Sequence, residues 1–390
     1  MSRSLKTPHP AHQRTPRPLR RALVCLWCMG CMAWFLSNLS LTYAEQDIHR
    51  SPIVDEVARQ LTDKPLATIR GVNYLRPTGY DADQCPDLQF GQDSICPWDI
   101  EAIATDMHRL QGLGVNTVRI FLNYYTFGGA SKTNAEYDMA EALGHLDSFI
   151  DVAQQHNIQV LPVLLSKYPQ DRFTLADLDV ALRVHVRPVM RHLAPHSGIV
   201  AWDLFNEPDI GSPVDQRCWD WANGDHPECL PLAEERLLFL RRLRQEVRLF
   251  DTERPITIGM AFAKSYFQPV GTTFFADDLV EFYSFHYYDN DPYDSGRYAE
   301  HWYYGQGFPD DLIRGLTELH DLGSNKPIVV TELGFPTGAG HMREQAELRR
   351  DLTRSYEITQ EHGAGLVLWP FQDQPEDLIG DLFTAPPTTP

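Results

Sequence analysis

The chain has 390 residues, of which 43% are hydrophobic and 11% aromatic. That composition provides enough apolar surface for a large buried core and excludes intrinsic disorder as the main state. The formal net charge is −19 at pH 7, and no basic patch interleaved with aromatic residues is present. This charge balance argues against nucleic acid as a partner and favours a neutral ligand.

Residues 1–44 differ from the rest of the chain, with six Lys/Arg and no acidic residue. A basic flank, a short apolar run over residues 22–36 and a small residue at Ala44 are typical of a secretory signal. We therefore predict a signal peptide over residues 1–44, a polar lead-in over 45–66, and a secreted or periplasmic protein. The alternative is a membrane anchor over residues 22–41, which reach about the 20 residues that a bilayer needs.

Four cysteines remain after this leader, and an even number in an exported chain favours disulfide bonds. Cys85 and Cys96 are eleven residues apart, as are Cys218 and Cys229, and both pairs lie in polar loop sequence. Local pairing, Cys85–Cys96 and Cys218–Cys229, is the simplest of the arrangements that four cysteines allow. Four free thiols are the alternative.

Residues 67–390 alternate short β-rich runs with helical stretches whose apolar residues recur three and four positions apart, as at 99–114, 232–250 and 308–323. The β-rich runs cover residues 67–74, 115–121, 158–165, 198–205, 255–260, 279–286, 327–332 and 365–371. Eight strand–helix repeats in about 320 residues predict a single-domain (β/α)8 TIM barrel over residues 67–390. A doubly wound sheet is the main alternative, but its glycine-rich first turn is missing.

Three connections are longer than a barrel needs: 75–98, 208–231 and 287–308. Each follows the C-terminal end of a predicted strand, and barrels build their active sites on that face. We therefore expect long loops around the mouth of the barrel.

Two glutamates follow strands that should open on this mouth, Glu207 after the fourth and Glu332 in the seventh. One such glutamate is more often a helix cap or an ion-pair partner, but two at equivalent positions favour chemistry. A carboxyl pair is the minimum equipment for glycosidic bond cleavage, since one group protonates the departing oxygen while the other attacks or stabilises the sugar carbon. Arg119, at the end of the second strand, can keep one carboxylate charged.

Five motifs occur in order over residues 67–371: VRIF, FNEPD, SFHYY, TELGFP and LVLWPF. In this order and spacing the chain resembles the clan A retaining glycoside hydrolases, most closely the cellulase-like glycoside hydrolase family 5. The resemblance implies that Glu207 is the acid/base and Glu332 the nucleophile. The two carboxyl groups should then lie at the roughly 5 Å separation of retaining enzymes.

The resemblance also implies supporting roles for five residues. Asn206 would bind the 2-hydroxyl of the sugar, and Tyr288 would hydrogen-bond the nucleophile. His286 would contact the substrate or the acid/base. Arg119 would support Glu332, and Trp369 would floor the subsite of the reacting sugar. One departure from the family is the end of the third strand, where Ser166 and Lys167 stand near the position of its usual histidine.

These observations predict a secreted retaining β-glycoside hydrolase that acts on a β-glucan or β-mannan through a glycosyl-enzyme intermediate. The aromatic residues of the long loops favour an endo mode. We expect no cofactor, no metal, no nucleic acid and no obligate protein partner, only a poly- or oligosaccharide substrate bound by a monomer. The alternatives are a transglycosylase on the same barrel and a non-catalytic carbohydrate-binding barrel.

Overall fold

The computed structural model describes residues 66–81, 85, 90, 98–124, 127, 139–169, 172–210, 229–267, 276–289, 306–335, 343–374 and 376–384. The predicted signal peptide or anchor and nearly all of the lead-in lie outside these residues, so leader cleavage and export stay predictions. Within the described ranges, no helix combines the length and the apolar character that crossing a membrane requires.

Eight parallel strands close into a barrel in which each strand pairs with its neighbours in sequence and β1 pairs with β8. The strands are β1 (Arg70–Asn73), β2 (Thr117–Asn123), β3 (Gln159–Ser166), β4 (Trp202–Asn206), β5 (Ile256–Met260), β6 (Tyr283–Tyr288), β7 (Ile328–Gly334) and β8 (Gly365–Leu368). This topology confirms the (β/α)8 TIM barrel and excludes the doubly wound sheet. All eight predicted strands are present.

Helices cover the outside of the barrel. They are α1 (Ile100–Gly112), α2 (Met139–Gln155), α3 (Leu175–Ala181), α4 (Arg187–Leu193), α5 (Leu230–Arg248), α6 (Asp310–Asp321), α7 (Gln345–Glu361) and α8 (Glu376–Thr384). A π-helical turn, Leu182–Val186, joins α3 to α4. In the described part of the connection after β5 the structure has two 3-10 turns, Ala263–Tyr266 and Ala276–Leu279.

Local sequence accounts for these elements. Helix α1 begins where the Asp99 side chain accepts a hydrogen bond from the Ala102 N–H at 3.0 Å, which satisfies one of the free donors of the first turn. Its residues Ile103, Met107 and Leu110 recur at helical spacing and are buried against the barrel. Every residue of β2 is buried, as expected of a parallel strand covered on both faces.

The barrel interior changes character along its axis. Near the start of the strands it is filled by a small apolar cluster: Leu66, Ile69, Leu161, Ala201, Phe282, Val329 and Val367. Further along, Asn73, Arg119 and Asp203 are completely buried. The polar groups therefore lie above an apolar floor and toward the C-terminal ends of the strands.

Two of the four predicted disulfide cysteines are described, and both are buried. Cys85 and Cys229 are each disulfide-bonded. Cys96 and Cys218 lie outside the described residues, so the pairing Cys85–Cys96 and Cys218–Cys229 stays a prediction.

Candidate active site

Arg119 is the centre of the polar network inside the barrel. Its Nη1 donates to Asn73 Oδ1 at 3.0 Å and to Glu332 Oε1 at 2.6 Å. Its Nη2 donates to Asp203 Oδ2 and Asn206 Oδ1, each at 2.9 Å, and its Nε donates to Asp203 Oδ2 at 3.2 Å. All five guanidinium N–H groups therefore have an acceptor.

The charge of Arg119 is sustained by its neighbours. Burial opposes a charged guanidinium, but the attraction of Asp203 and then of Glu332 outweighs that effect and raises the pKa of Arg119. One buried cation thus forms ion pairs with two buried carboxylates, Asp203 and Glu332.

Glu332 is held by two donors. Arg119 contacts its Oε1 as above, and the Tyr288 hydroxyl donates to its Oε2 at 2.5 Å. The side chain is almost fully buried in β7, beside His286 of β6 in the strand register. A carboxylate held at both oxygens in this way is fixed in one orientation.

Glu207 lies in a different environment. Its Oε1 is 2.7 Å from His286 Nδ1, and 26% of its side chain is exposed to the mouth. Burial raises the pKa of Glu207 to about 7, although the charge of Arg119 works in the opposite direction. Near neutral pH this carboxyl group can both hold and release a proton.

His286 is neutral across the same pH range. Burial lowers its pKa to about 4, the negative charge of Glu332 opposes that shift, and Arg119 adds to it. A ring nitrogen of a neutral imidazole can accept a hydrogen bond from protonated Glu207 or, in the other tautomer, donate one to the ionised form. The hydrogen bond between the two side chains can thus be kept in both protonation states of Glu207.

The backbone aims Glu207 at the mouth. Its φ is +50°, a left-handed conformation that costs a non-glycine residue about 1 kcal/mol or more. A hydrogen bond stabilises this backbone conformation: the Glu207 N–H donates to the Gly259 carbonyl of β5 at 2.7 Å. Because of this turn, the backbone at Glu207 departs from the extended geometry of β4, which ends at Asn206.

The two glutamates approach each other closely. One oxygen of each, together with a ring nitrogen of His286, lies within 4.8 Å of the other two atoms. A cluster of two carboxylates and an imidazole is also an acceptable ligand set for a divalent metal. However, both oxygens of Glu332 already accept hydrogen bonds, and Arg119 Nη2 lies 3.4 Å from His286 Nε2. The Arg119 guanidinium already supplies the positive charge beside Glu332 and His286. The three side chains therefore fit proton transfer better than metal binding.

Trp369 and the end of β3 complete the described mouth. Trp369 is half-buried just after β8 and packs against Leu75, Phe121 and Val163. Its ring meets that of Phe121 edge to face, with 5.7 Å between centroids. Ser166 is buried at the end of β3, and Lys167 follows it, exposed and with φ +50°.

Six of the seven predicted site residues meet in this network: Arg119, Asn206, Glu207, His286, Tyr288 and Glu332. The structure adds three buried residues that sequence reasoning missed: Asn73, Asp203 and Asp209. Asp203 had a visible signal, since a charged residue in the middle of an apolar strand needs a buried partner. The long loops that carry most of the predicted aromatic residues lie outside the described residues.

Gly259 was also missed. A Cβ at this position would come within 2.8 Å of both Arg119 Nη2 and Asp203 Oδ2. Glycine inside a strand often marks such a close approach, and that is the signal the sequence carried. The missing side chain of β5 makes room for the buried ion pair.

Asp209 ties the ends of β4 and β5 together. Its carboxyl group accepts from Ala261 N at 2.9 Å, Phe262 N at 3.1 Å and Ser265 Oγ at 2.6 Å. Burial raises its pKa to about 7, and the bond from Ser265 counters part of that rise. Because Asp209 follows Glu207 by two residues, these bonds also restrain the segment that carries Glu207.

Fold and site together define a (β/α)8 barrel with a carboxyl pair at its mouth. No protein-family model and no curated protein matches the chain. Among solved structures, it is similar to a β-1,4-mannanase from the sea hare Aplysia kurodai, with 18% identity, TM-score 0.50, and coverage of 80% of this chain and 92% of that one. It is also similar to an endo-1,4-β-mannanase from Rhizomucor miehei, with 13% identity, TM-score 0.51, and coverage of 80% and 93%.

A β-1,4-D-mannanase from Cryptopygus antarcticus gives 14% identity and a TM-score of 0.51 over 72% of this chain and 82% of that one. At these identities the likeness shows a shared fold.

Proposed function

We propose that the protein is a retaining β-glycoside hydrolase in which Glu332 is the nucleophile and Glu207 the acid/base. The observation that carries this proposal is the close approach of two carboxyl groups in unlike surroundings, with one oxygen of each within 4.8 Å. Retaining glycosidases hold their carboxyl groups about 5–5.5 Å apart, whereas inverting enzymes need about 6.5–9.5 Å to admit a water molecule. The spacing supports direct attack by a carboxylate.

In the first step Glu332 attacks the anomeric carbon while Glu207 donates its proton to the departing oxygen. A pKa of about 7 keeps a large share of Glu207 protonated near neutral pH, as a general acid requires. The products are a glycosyl-enzyme ester on Glu332 and a free sugar hydroxyl. Tyr288 and Arg119 hold the attacking carboxylate in place before the reaction.

In the second step Glu207 removes a proton from water, whose oxygen bonds to the anomeric carbon. The bond from that carbon to Glu332 breaks, which releases the sugar and restores the carboxylate. Esterified Glu332 carries no negative charge and therefore no longer offsets the positive charge of Arg119. Glu207 then experiences a stronger positive potential from Arg119. Since that field lowers the pKa of Glu207, the change favours the ionised form that a general base needs. Asp203 keeps the buried guanidinium paired throughout the cycle.

The substrate class we propose is a β-linked polysaccharide, a β-mannan or a β-glucan, cleaved in endo mode by an exported protein. The three solved structures named above are β-1,4-mannanases, which favours mannan as the first substrate to test. Half-buried Trp369 suits the apolar face of a sugar ring. Asn206, fixed by Arg119 beside Glu207, is placed to bind a sugar hydroxyl.

The test is hydrolysis of a panel of β-mannans and β-glucans by the purified protein, with analysis of the products. We expect Glu332→Ala to abolish hydrolysis and to keep sugar binding. Glu207→Ala should retain most activity only on aryl glycosides whose leaving group needs no acid. Glu234→Gln, which alters an exposed glutamate on α5, is the matched control and should behave like the parent protein.

Each alternative predicts a different result. A non-catalytic barrel would bind a polysaccharide without releasing any product, and a transglycosylase would yield chains longer than its substrate. Full activity of Glu332→Ala would refute the assignment of the nucleophile.

A further inference from the structure

A second cluster of chemically active side chains lies on the outside of the barrel. The Nε2 atoms of His192 and His196 are 2.7 Å and 2.9 Å from the same oxygen, Oδ1 of Asp147. The three donor atoms all lie within 4.8 Å of one another. The site proposed above does not use any of them.

The cluster lies at the opposite end of the barrel from the mouth. His192 is in the last turn of α4, and His196 follows that helix in the turn that precedes β4. Glu207, by contrast, follows the C-terminal end of β4. Features on the N-terminal face of such barrels generally serve stability rather than catalysis.

All three side chains extend from a fixed backbone. Asp147 is in the middle of α2, which is 17 residues long. The turn that carries His196 is held by Arg254, whose Nη1 donates to the Ala194 carbonyl at 2.8 Å and whose Nη2 donates to the His196 carbonyl. Arg254 is in turn paired with Asp251 at 2.6 Å.

Two imidazoles and a carboxylate are one of the donor sets that hold zinc in proteins, with a water as the fourth ligand. Zinc bonds of about 2.0–2.2 Å in tetrahedral geometry would place neighbouring donor atoms about 3.3 Å apart. That is slightly more than the 2.7 Å and 2.9 Å that separate Asp147 Oδ1 from the two imidazoles. The side chains are 23–35% exposed, so an ion can enter from solvent and keep a water as its fourth ligand. We propose that Asp147, His192 and His196 bind one Zn²⁺ ion, which links α2 to the segment between α4 and β4.

The test compares zinc binding by the metal-stripped parent protein and by His192→Ala/His196→Ala, using equilibrium dialysis against ZnCl2 at pH 7.5. We expect the variant to bind one equivalent less than the parent. The comparison removes any contribution from the cysteines or from the active-site carboxylates, which both proteins share. Zinc should also raise the Tm of the parent by a few degrees and leave that of the variant unchanged.

His108→Ala/His156→Ala is the matched control. These two rings also meet, with 5.6 Å between centroids, but His156 Nδ1 bonds the amide oxygen of Gln111 instead of a carboxylate. This variant should bind as much zinc as the parent. Equal zinc in the parent and in His192→Ala/His196→Ala, or an equal loss in the control, overturns the proposal.

Asp147→Asn provides a second variant of similar shape, should the double alanine variant fail to fold. Its zinc affinity should fall at least tenfold, because the amide group has no negative charge to offer the ion. If Asp147→Asn lowers the Tm while zinc has no effect on the parent, the three side chains form only a hydrogen-bonded cluster and the proposal is wrong.

Discussion

Glu207→Gln should stabilise the protein above neutral pH, because the native fold keeps this carboxyl group in surroundings that oppose its charge. Burial raises the pKa of Glu207 from its ordinary value of 4.5 to about 7. Glutamine has nearly the same shape, and its amide can donate to His286 Nδ1 or accept from it. The substitution therefore removes the titration and keeps the contact.

The size of the effect follows from linkage. Below about pH 4.5 the carboxyl group is protonated in both the folded and the unfolded chain, and its titration has no effect on the free energy of unfolding. As the pH rises to about 7, the unfolded chain releases the proton first, and the parent protein loses stability relative to the variant. Raising the pKa from 4.5 to about 7 corresponds to roughly 3 kcal/mol, which is reached above about pH 7.

The assay is urea unfolding of the parent, Glu207→Gln and Glu234→Gln at several pH values between 4 and 9. The stability difference between Glu207→Gln and the parent should be near zero at pH 4, grow with pH and level off above neutrality. A difference that stays constant with pH would refute the raised pKa of Glu207, and with it this account of the general acid.

Four further outcomes are expected. The kcat/KM of the parent should fall above about pH 7 as Glu207 loses its proton, and a profile unchanged up to pH 9 would contradict its role as acid. Tyr288→Phe, which removes the 2.5 Å bond to Glu332, should lower kcat about 10- to 100-fold with little change in KM, as steady-state kinetics will show. Gly259→Ala should lower activity at least tenfold and reduce the free energy of unfolding in urea by about 1–3 kcal/mol, because the new methyl group collides with the buried ion pair. Gly144→Ala is the control: this residue faces open space on α2, and the substitution should be neutral or stabilising. Asp209→Asn should cost about 1–3 kcal/mol, since its amide group faces backbone and hydroxyl donors, and equal Tm values for the two proteins would contradict this.

The residues that sequence reasoning recovered share one property, which is that they stand at the ends of recognisable strands. Apolar residues at every second position, or a short apolar run, identify a strand from local sequence. In a barrel the last residues of each strand lie at the mouth. Glu207, His286 and Glu332 were found in this way, and the resemblance to known motifs assigned their expected roles. In the described part of the connection after β5, the chain folds into 3-10 turns where the strand–helix repeat predicts a helix.

Sequence alone therefore determined the barrel and the carboxyl pair, since both depend on patterns within a few residues. Only the tertiary structure showed that Arg119 bridges Asp203 and Glu332, which are 84 and 213 residues away from it. The same holds for Asp147 and His192, separated by 45 residues and on different helices. Such contacts depend on how strands close and helices pack, and the pKa of Glu207 depends in turn on the solvent that this packing excludes.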